Sequence, residues 1–195
     1  MNSIAPPCGQ STDGSGDPAH THPLSLLWHS EADTQAFALA LAHGIRNMPA
    51  GASLYLELHG ELGAGKTTLV RHLLRGLGVQ GRIKSPTYAV VEPHDSGVLP
   101  IWHFDFYRFS DPREWEDAGF RELFSSPGLK IAEWPDKASG YVPPADVAIH
   151  IQAMTDDART VHLYPHSSTG LALLRDCSAA VGLQAPTTTA AGPQS

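Results

Sequence analysis

The stretch Gly60-Glu61-Leu62-Gly63-Ala64-Gly65-Lys66-Thr67-Thr68 decides the fold. Its first eight residues satisfy G-x-x-x-x-G-K-[ST], a glycine-rich loop that ends in an ammonium group and a hydroxyl. Glycines at 60, 63 and 65 permit dihedrals and close approach that a Cβ would block, so successive N–H groups can converge on phosphate oxygens. A helix starting at Lys66 adds its positive end to that field. Lys66 is placed to neutralise the β- and γ-phosphates, the Thr67 hydroxyl is a hard oxygen ligand suited to Mg²⁺, and Thr68 contributes a backbone N–H. The expected nucleotide-binding set from the loop is Gly60, Leu62, Gly63, Ala64, Gly65, Lys66, Thr67 and Thr68.

The flanking periodicities supply the strand and helix that such a loop requires. Residues 53–59 alternate, with Leu54, Leu56 and Leu58 on one face and Tyr55 and Glu57 on the other, which predicts a strand. Residues 66–77 predict a helix with Leu69, Val70, Leu73, Leu74 and Leu77 inward. Upstream, 24–29 reads as a strand, and Ser30 with Asp33 resembles a capping box opening a helix whose stripe is Phe37, Ala40, Leu41 and Ile45. Downstream, strands are expected at 88–92, 99–104, 129–133, 146–152 and 160–164, and helices at 112–119 and 169–180. The alternation predicts a layered α/β domain. The close pair ending at Tyr164 reads as antiparallel, so the central sheet should mix parallel and antiparallel strands.

At 195 residues and 42% apolar, the chain suffices for one domain and not comfortably for two. Residues 1–23, rich in Pro and Gly and nearly without apolar side chains after Ile4, cannot repay the entropy of ordering and read as a disordered tail. Residues 184–195 repeat the pattern, which leaves 24–183 as the P-loop domain. His20 and His22 read as solvated tail residues, and Cys8 and Cys177 as free thiols. No apolar run approaches the roughly 18 residues of a bilayer span, and no secretory leader opens the chain, so a cytoplasmic protein without a membrane partner is expected. Acidic residues number 20 against 13 Lys plus Arg, a formal charge of −7 that argues against binding DNA or RNA through overall charge. Arg71, Arg75, Arg82 and Lys84 leave room for a local basic patch, or for a solvated helix face.

Two carboxylates stand where chemistry on a phosphate needs them. The mainly apolar run 100–104 delivers Asp105 at its end, which can face a metal or its water, or serve as a turn or helix cap. Glu133 closes Lys130, Ile131 and Ala132 in the same fashion; two strand-end acids can share one Mg²⁺ and one attacking water. Catalysis is therefore expected of Lys66, Asp105 and Glu133, with the water aligned by Asp105 or Glu133. Ser85, Pro86 and Thr87 form a stiffened loop that can order around a γ-phosphate or lead blandly into a strand. Tyr107 and Arg108 follow Asp105 closely, with Arg108 divided between a phosphate and a neighbouring acid. Trp134, beside Pro135, either packs or covers the nucleotide.

Together, GELGAGKTT at 60–68, SPTY at 85–88, HFDFYR at 103–108 and AEWPD at 132–136 resemble the TsaE (YjeE) family of small bacterial ATPases needed for threonylcarbamoyl modification of tRNA adenosine. The resemblance runs from about residue 24 to about 183. It implies an α/β, three-layer P-loop NTPase fold with a mixed parallel/antiparallel central sheet, ATP as the nucleotide, Mg²⁺ on Thr67 and Glu133, Asp105 on the γ-phosphate side, and a partner complex of TsaD and TsaB. The modified base is then position 37 of ANN-decoding tRNAs, with tRNA touched indirectly or through the basic patch. It also implies nucleotide contacts from an acid opening the first helix, here Glu31, and an Arg in the late hairpin, here Arg159. Glu61 stands where Asp is usual in the family, and Ala89 where a hydroxyl is usual, so no side-chain role is assigned at 89.

Three functions compete on the sequence. The leading one is a partner-stimulated ATPase, weak alone, that resets a tRNA-modifying complex. A small-molecule kinase would need an acceptor pocket and a basic lid, and no basic lid segment follows residue 120. A nucleotide-gated binding module would use ATP to order residues 85–92 and 105–110, with hydrolysis incidental.

Overall fold

The computed structural model describes residues 23–154 and 157–181. Strands β1 (Leu24–Trp28), β2 (Ser53–His59), β3 (Val91–Asp95), β4 (Pro100–Asp105), β5 (Gly128–Glu133), β6 (Val147–Ala153) and β7 (Arg159–Pro165) are joined through helices α1 (Glu31–Arg46), α2 (Lys66–Gly76), α3 (Glu114–Asp117), α4 (Phe120–Ser125) and α5 (Ser168–Val181). The strands form one sheet in the order β1-β7-β6-β2-β5-β4-β3. Its middle, β6-β2-β5-β4, is parallel. Antiparallel β3 closes one side, and antiparallel β7 followed by β1 closes the other. The mixed sheet expected from the sequence is present.

The two faces of β2 explain the layering. Leu54, Leu56 and Leu58 point into a core with Phe37, Leu41 and Ile45 of α1, Leu69, Val70, Leu73 and Leu74 of α2, and Leu173 and Leu174 of α5. Each such side chain, fully buried, contributes about 1.5–3 kcal/mol relative to exposure. Tyr55 points the other way, into an aromatic cluster with Phe104, Phe106, Phe109, Trp115 and Phe120. The sheet is thus covered by α1, α2 and α5 on one face and by α3, α4 and their flanking loops on the other. At the start of α1 the Asp33 carboxylate accepts the backbone N–H groups of His29 at 2.7 Å and Ser30 at 3.0 Å, which satisfies donors that a helix N-terminus leaves free.

Two expected elements differ. The strand expected at 88–92 begins only at Val91, because Val90 adopts φ 66 in a turn whose N–H donates to the Pro86 carbonyl at 2.6 Å. The strand that follows carries Pro93, which an edge position tolerates because one side of the ladder is unused. The helix expected at 112–119 is the single turn α3; Gly119, at φ 72, stops it and redirects the chain into α4, which the sequence did not announce. Of the expected tails, residues 1–22, with His20, His22 and Cys8, and 184–195 lie outside the described residues. Among the described residues no helix is long and apolar enough to cross a membrane. Cys177 is buried and free.

Candidate functional site

Parallel pairing brings the C-terminal ends of β2, β5 and β4 to one edge of the sheet, with Leu58 opposite Glu133 and Glu133 opposite Asp105. The loop from Gly60 to Gly65 leaves β2 at that edge and enters α2. Gly60 has φ 140, and a Cβ there would sit 2.2 Å from the Ile151 carbonyl oxygen, so only glycine lets the loop turn this close to β6. Gly65, at φ 111, makes the final left-handed step before Lys66 starts the helix. Below the loop lies a cleft of about 280 Å³, lined by Leu62, Gly63, Gly65, Lys66, Thr67, Thr68, Ser85, Thr87, Asp105, Tyr107, Glu133 and Trp134. Thr67 and Glu133, 66 positions apart in sequence, are therefore neighbours in one depression, as a crevice beyond the strand ends of an open α/β sheet requires.

Glu133 is held from two sides. It is 2% exposed, and the Thr67 hydroxyl lies 2.8 Å from its Oε2 and 3.0 Å from its Oε1, donating its one proton to the carboxylate. His103 Nε2 lies 2.9 Å from Oε1 on the other side. Lys66 is 4% exposed; its ammonium donates to the carbonyls of Gly60 and Glu61 and sits 3.9 Å from the centroid of the Trp134 ring. Burial pushes the Lys66 amine below the ordinary lysine value, and the charges of Glu133, Asp105 and Glu61 oppose that shift. An ammonium stripped of this much water is available to anionic oxygens at small further desolvation cost.

Asp105 holds the loop beyond α2. Its Oδ2 accepts the hydroxyls of Ser85 and of Thr87, the latter at 2.8 Å, while Oδ1 accepts the Tyr107 N–H at 3.0 Å. Trp134 adopts φ 59, a conformation that costs a bulky residue about 1 kcal/mol or more, and packs against Tyr107 with ring centroids 5.1 Å apart and planes tilted by 52°. That turn swings the indole over Lys66 directly after the strand ends.

Other expected site residues lie outside the cleft lining. Gly60 and Ala64 belong to the loop without lining the cleft, and Pro86 is buried. Arg159 supports the loop from behind, its Nε donating to the Ala64 carbonyl at 3.1 Å. Glu31 accepts from His72 Nε2 at 2.9 Å across α1 and α2. Arg108 stacks on Tyr88, 4.1 Å from the ring centroid, rather than pairing with an acid. Conversely, His103 was not singled out from the sequence. The signal was a lone histidine on an apolar strand, on the same face as Asp105 two residues on.

The donor set suits Mg²⁺ with a triphosphate. Among the described residues no group of three His, Cys, Asp or Glu side chains converges to cage a metal. What the cleft offers is hard oxygens from Thr67 and Glu133 beside an amide-rich loop, the arrangement in which Mg²⁺ keeps waters and takes phosphate oxygens. With its proton given to Glu133, the Thr67 oxygen turns only lone pairs outward.

The sequence model of one family, threonylcarbamoyl adenosine biosynthesis protein TsaE, matches residues 28–161. A Haemophilus influenzae tRNA threonylcarbamoyladenosine biosynthesis protein TsaE is 42% identical over 118 residues, 60% of this chain and 74% of that protein. Its Treponema pallidum counterpart is 33% identical over 104 residues, 53% of this chain and 76% of that protein. The crystal structure of Bacillus subtilis YdiB superposes with a TM-score of 0.68 at 25% identity, over 83% of this chain and 98% of that one. The loop, both strand-end carboxylates and the 85–87 segment all fall within the matched span, and the chain belongs to the TsaE family.

Proposed function

We propose that this protein is a cytoplasmic, Mg²⁺-dependent ATPase that serves threonylcarbamoyl modification of adenosine 37 in ANN-decoding tRNAs by acting on a TsaD–TsaB complex. The observation that carries the ATPase reading is the Thr67–Glu133 contact beneath a glycine-rich loop, which presents oxygen ligands where the β- and γ-phosphates would lie. Family membership supports the pathway. The loop amides and Lys66 hold the triphosphate, and Glu133 orients Thr67. Bound Mg²⁺ supplies charge neutralisation at the phosphate oxygens. Asp105 keeps the 85–87 hydroxyls beside the cleft, and Trp134 with Tyr107 covers one wall against water.

No arginine lines the cleft among the described residues, which fits slow turnover alone and stimulation by a partner that supplies missing positive charge. Contact with tRNA is indirect or runs through Arg75, Arg82 and Lys84, which are exposed. A second reading draws on Asp105: a carboxylate committed to Ser85, Thr87 and Tyr107 favours a nucleotide-gated module in which ATP reorders that loop and hydrolysis is incidental.

Phosphate release by the purified protein alone, with TsaD and TsaB homologues, and with small hydroxyl acceptors separates these. The ATPase reading expects slow release alone and stimulation only by the partners. Phosphorylation of an acceptor contradicts it, and ATP-dependent partner binding that survives loss of hydrolysis favours the gate.

A further inference from the structure

His103 is fully buried on β4, in a strand whose same-face neighbour Ile101 belongs to the apolar core. A leucine would fill that place without leaving a polar atom in the core, yet His103 Nδ1 has no partner among the described residues. Among the described residues the one polar contact of the ring is Nε2 to Glu133 Oε1, at 2.9 Å. An ionised carboxylate can only accept, so Nε2 carries the proton and Nδ1 is a bare lone pair, a smaller penalty than an orphaned N–H. The register explains the reach: His103 lies opposite Ile131, which makes Glu133 its diagonal neighbour on the same face of the sheet.

We propose that His103 is a positioning residue for the cation platform: its Nε2–H pins Oε1 of Glu133, so that the carboxylate stays turned to the Thr67 hydroxyl. This rests on the reading of Thr67 and Glu133 as the Mg²⁺ ligands. A carboxylate with 2% exposure has little water to compensate its charge, and the donors it has are Thr67 from α2 and His103 from β4. Three elements therefore meet at one side chain. Without His103 the carboxylate keeps one donor, which can follow it through a range of rotamers, and the oxygen geometry offered to the cation is no longer fixed. Partners of this kind, one bond removed from a metal, change metal affinity by about 10- to 100-fold when lost.

The test uses the full chain at one fixed pH, titrated with ATP in the presence of a chelator and again with Mg²⁺. His103→Leu removes the donor, His103→Gln places an amide nitrogen near the position of Nε2, and His103→Asn, too short to reach Glu133, replaces the leucine variant if that one fails to fold. Thermal unfolding of each variant establishes that it is folded. The expected result is Mg²⁺-free ATP affinity unchanged in all variants, a gain on adding Mg²⁺ reduced by about tenfold or more in His103→Leu or His103→Asn, and restoration of most of that gain in His103→Gln. A folded His103→Leu with the full wild-type gain overturns this inference alone. Equal losses with and without Mg²⁺, in all variants alike, overturn it in favour of a purely structural histidine. A wild-type protein that gains nothing from Mg²⁺ overturns the platform reading itself, and this inference with it.

Discussion

The Thr67 hydroxyl lies 2.8 Å from Glu133 Oε2, joining the first turn of α2 to the last residue of β5. The contact spans 66 residues of sequence, and it sets which atoms of the hydroxyl face the cleft. Because the proton goes inward to the carboxylate, oxygen lone pairs go outward, which is what a hard cation needs.

Glu133→Gln keeps the shape of the side chain and removes its charge. Phosphate release, alone and with partner proteins, should fall by about tenfold or more, while Mg²⁺-free ATP binding stays near wild type. A variant that still releases phosphate at the wild-type rate contradicts the role given to Glu133.

Gly60→Ala puts a methyl where the Ile151 carbonyl oxygen stands 2.2 Å away, at a φ of 140 that alanine rarely adopts. The loop must move or β6 must yield, at a cost of about 1–3 kcal/mol of stability. Urea unfolding should register the loss, and ATP affinity should fall with it because the amides lose their common focus. Gly63→Ala, with nothing within 4 Å of its Cβ, should cost less despite its φ of 82.

Asp105→Ala removes the acceptor shared by Ser85, Thr87 and the Tyr107 N–H. Unfolding free energy should drop by about 1–3 kcal/mol, and amide hydrogen exchange should accelerate at residues 85–90 more than elsewhere. Uniform acceleration across the domain would show that Asp105 does not anchor this loop in particular.

Cys177 offers a pH dependence of known sign. Burial pushes its thiol from 9.0 up to about 12. Below pH 9 the folded and unfolded chains both keep the proton; between 9 and about 12 the unfolded chain releases it and the folded chain does not, so this contribution to stability is present below 9 and lost as pH rises across that window. Native Cys177 should resist a thiol reagent at pH 8 and react on unfolding, with peptide mapping to separate it from Cys8. Rapid labelling of Cys177 in the native protein contradicts the burial.

The phosphate loop, its strand and its helix were legible because local physics dictates them: glycines need no context to turn, and the leucines of 54–58 and 69–77 declare their faces by period. The mixed sheet was legible from spacing alone. The onset of β3 was not, since Val90 takes a left-handed turn that no propensity favours and that only its bond to Pro86 and the pairing of β4 explain. α4 was hidden for a similar reason, in that Gly119 restarts a helix instead of ending one. His103 escaped notice because its role depends on strand register, a relation between residues 30 positions apart. The same holds for Arg108 and Glu31, whose partners Tyr88 and His72 are set by packing rather than by neighbours in sequence.

Calorimetric titration of Mg-ATP into the wild-type protein, Lys66→Ala and Thr67→Ala tests the central claim most directly. The account predicts saturable binding by the wild type and a loss of well over tenfold in each variant, in keeping with the strength of charge-assisted phosphate contacts. Equal affinity in all three proteins would contradict it.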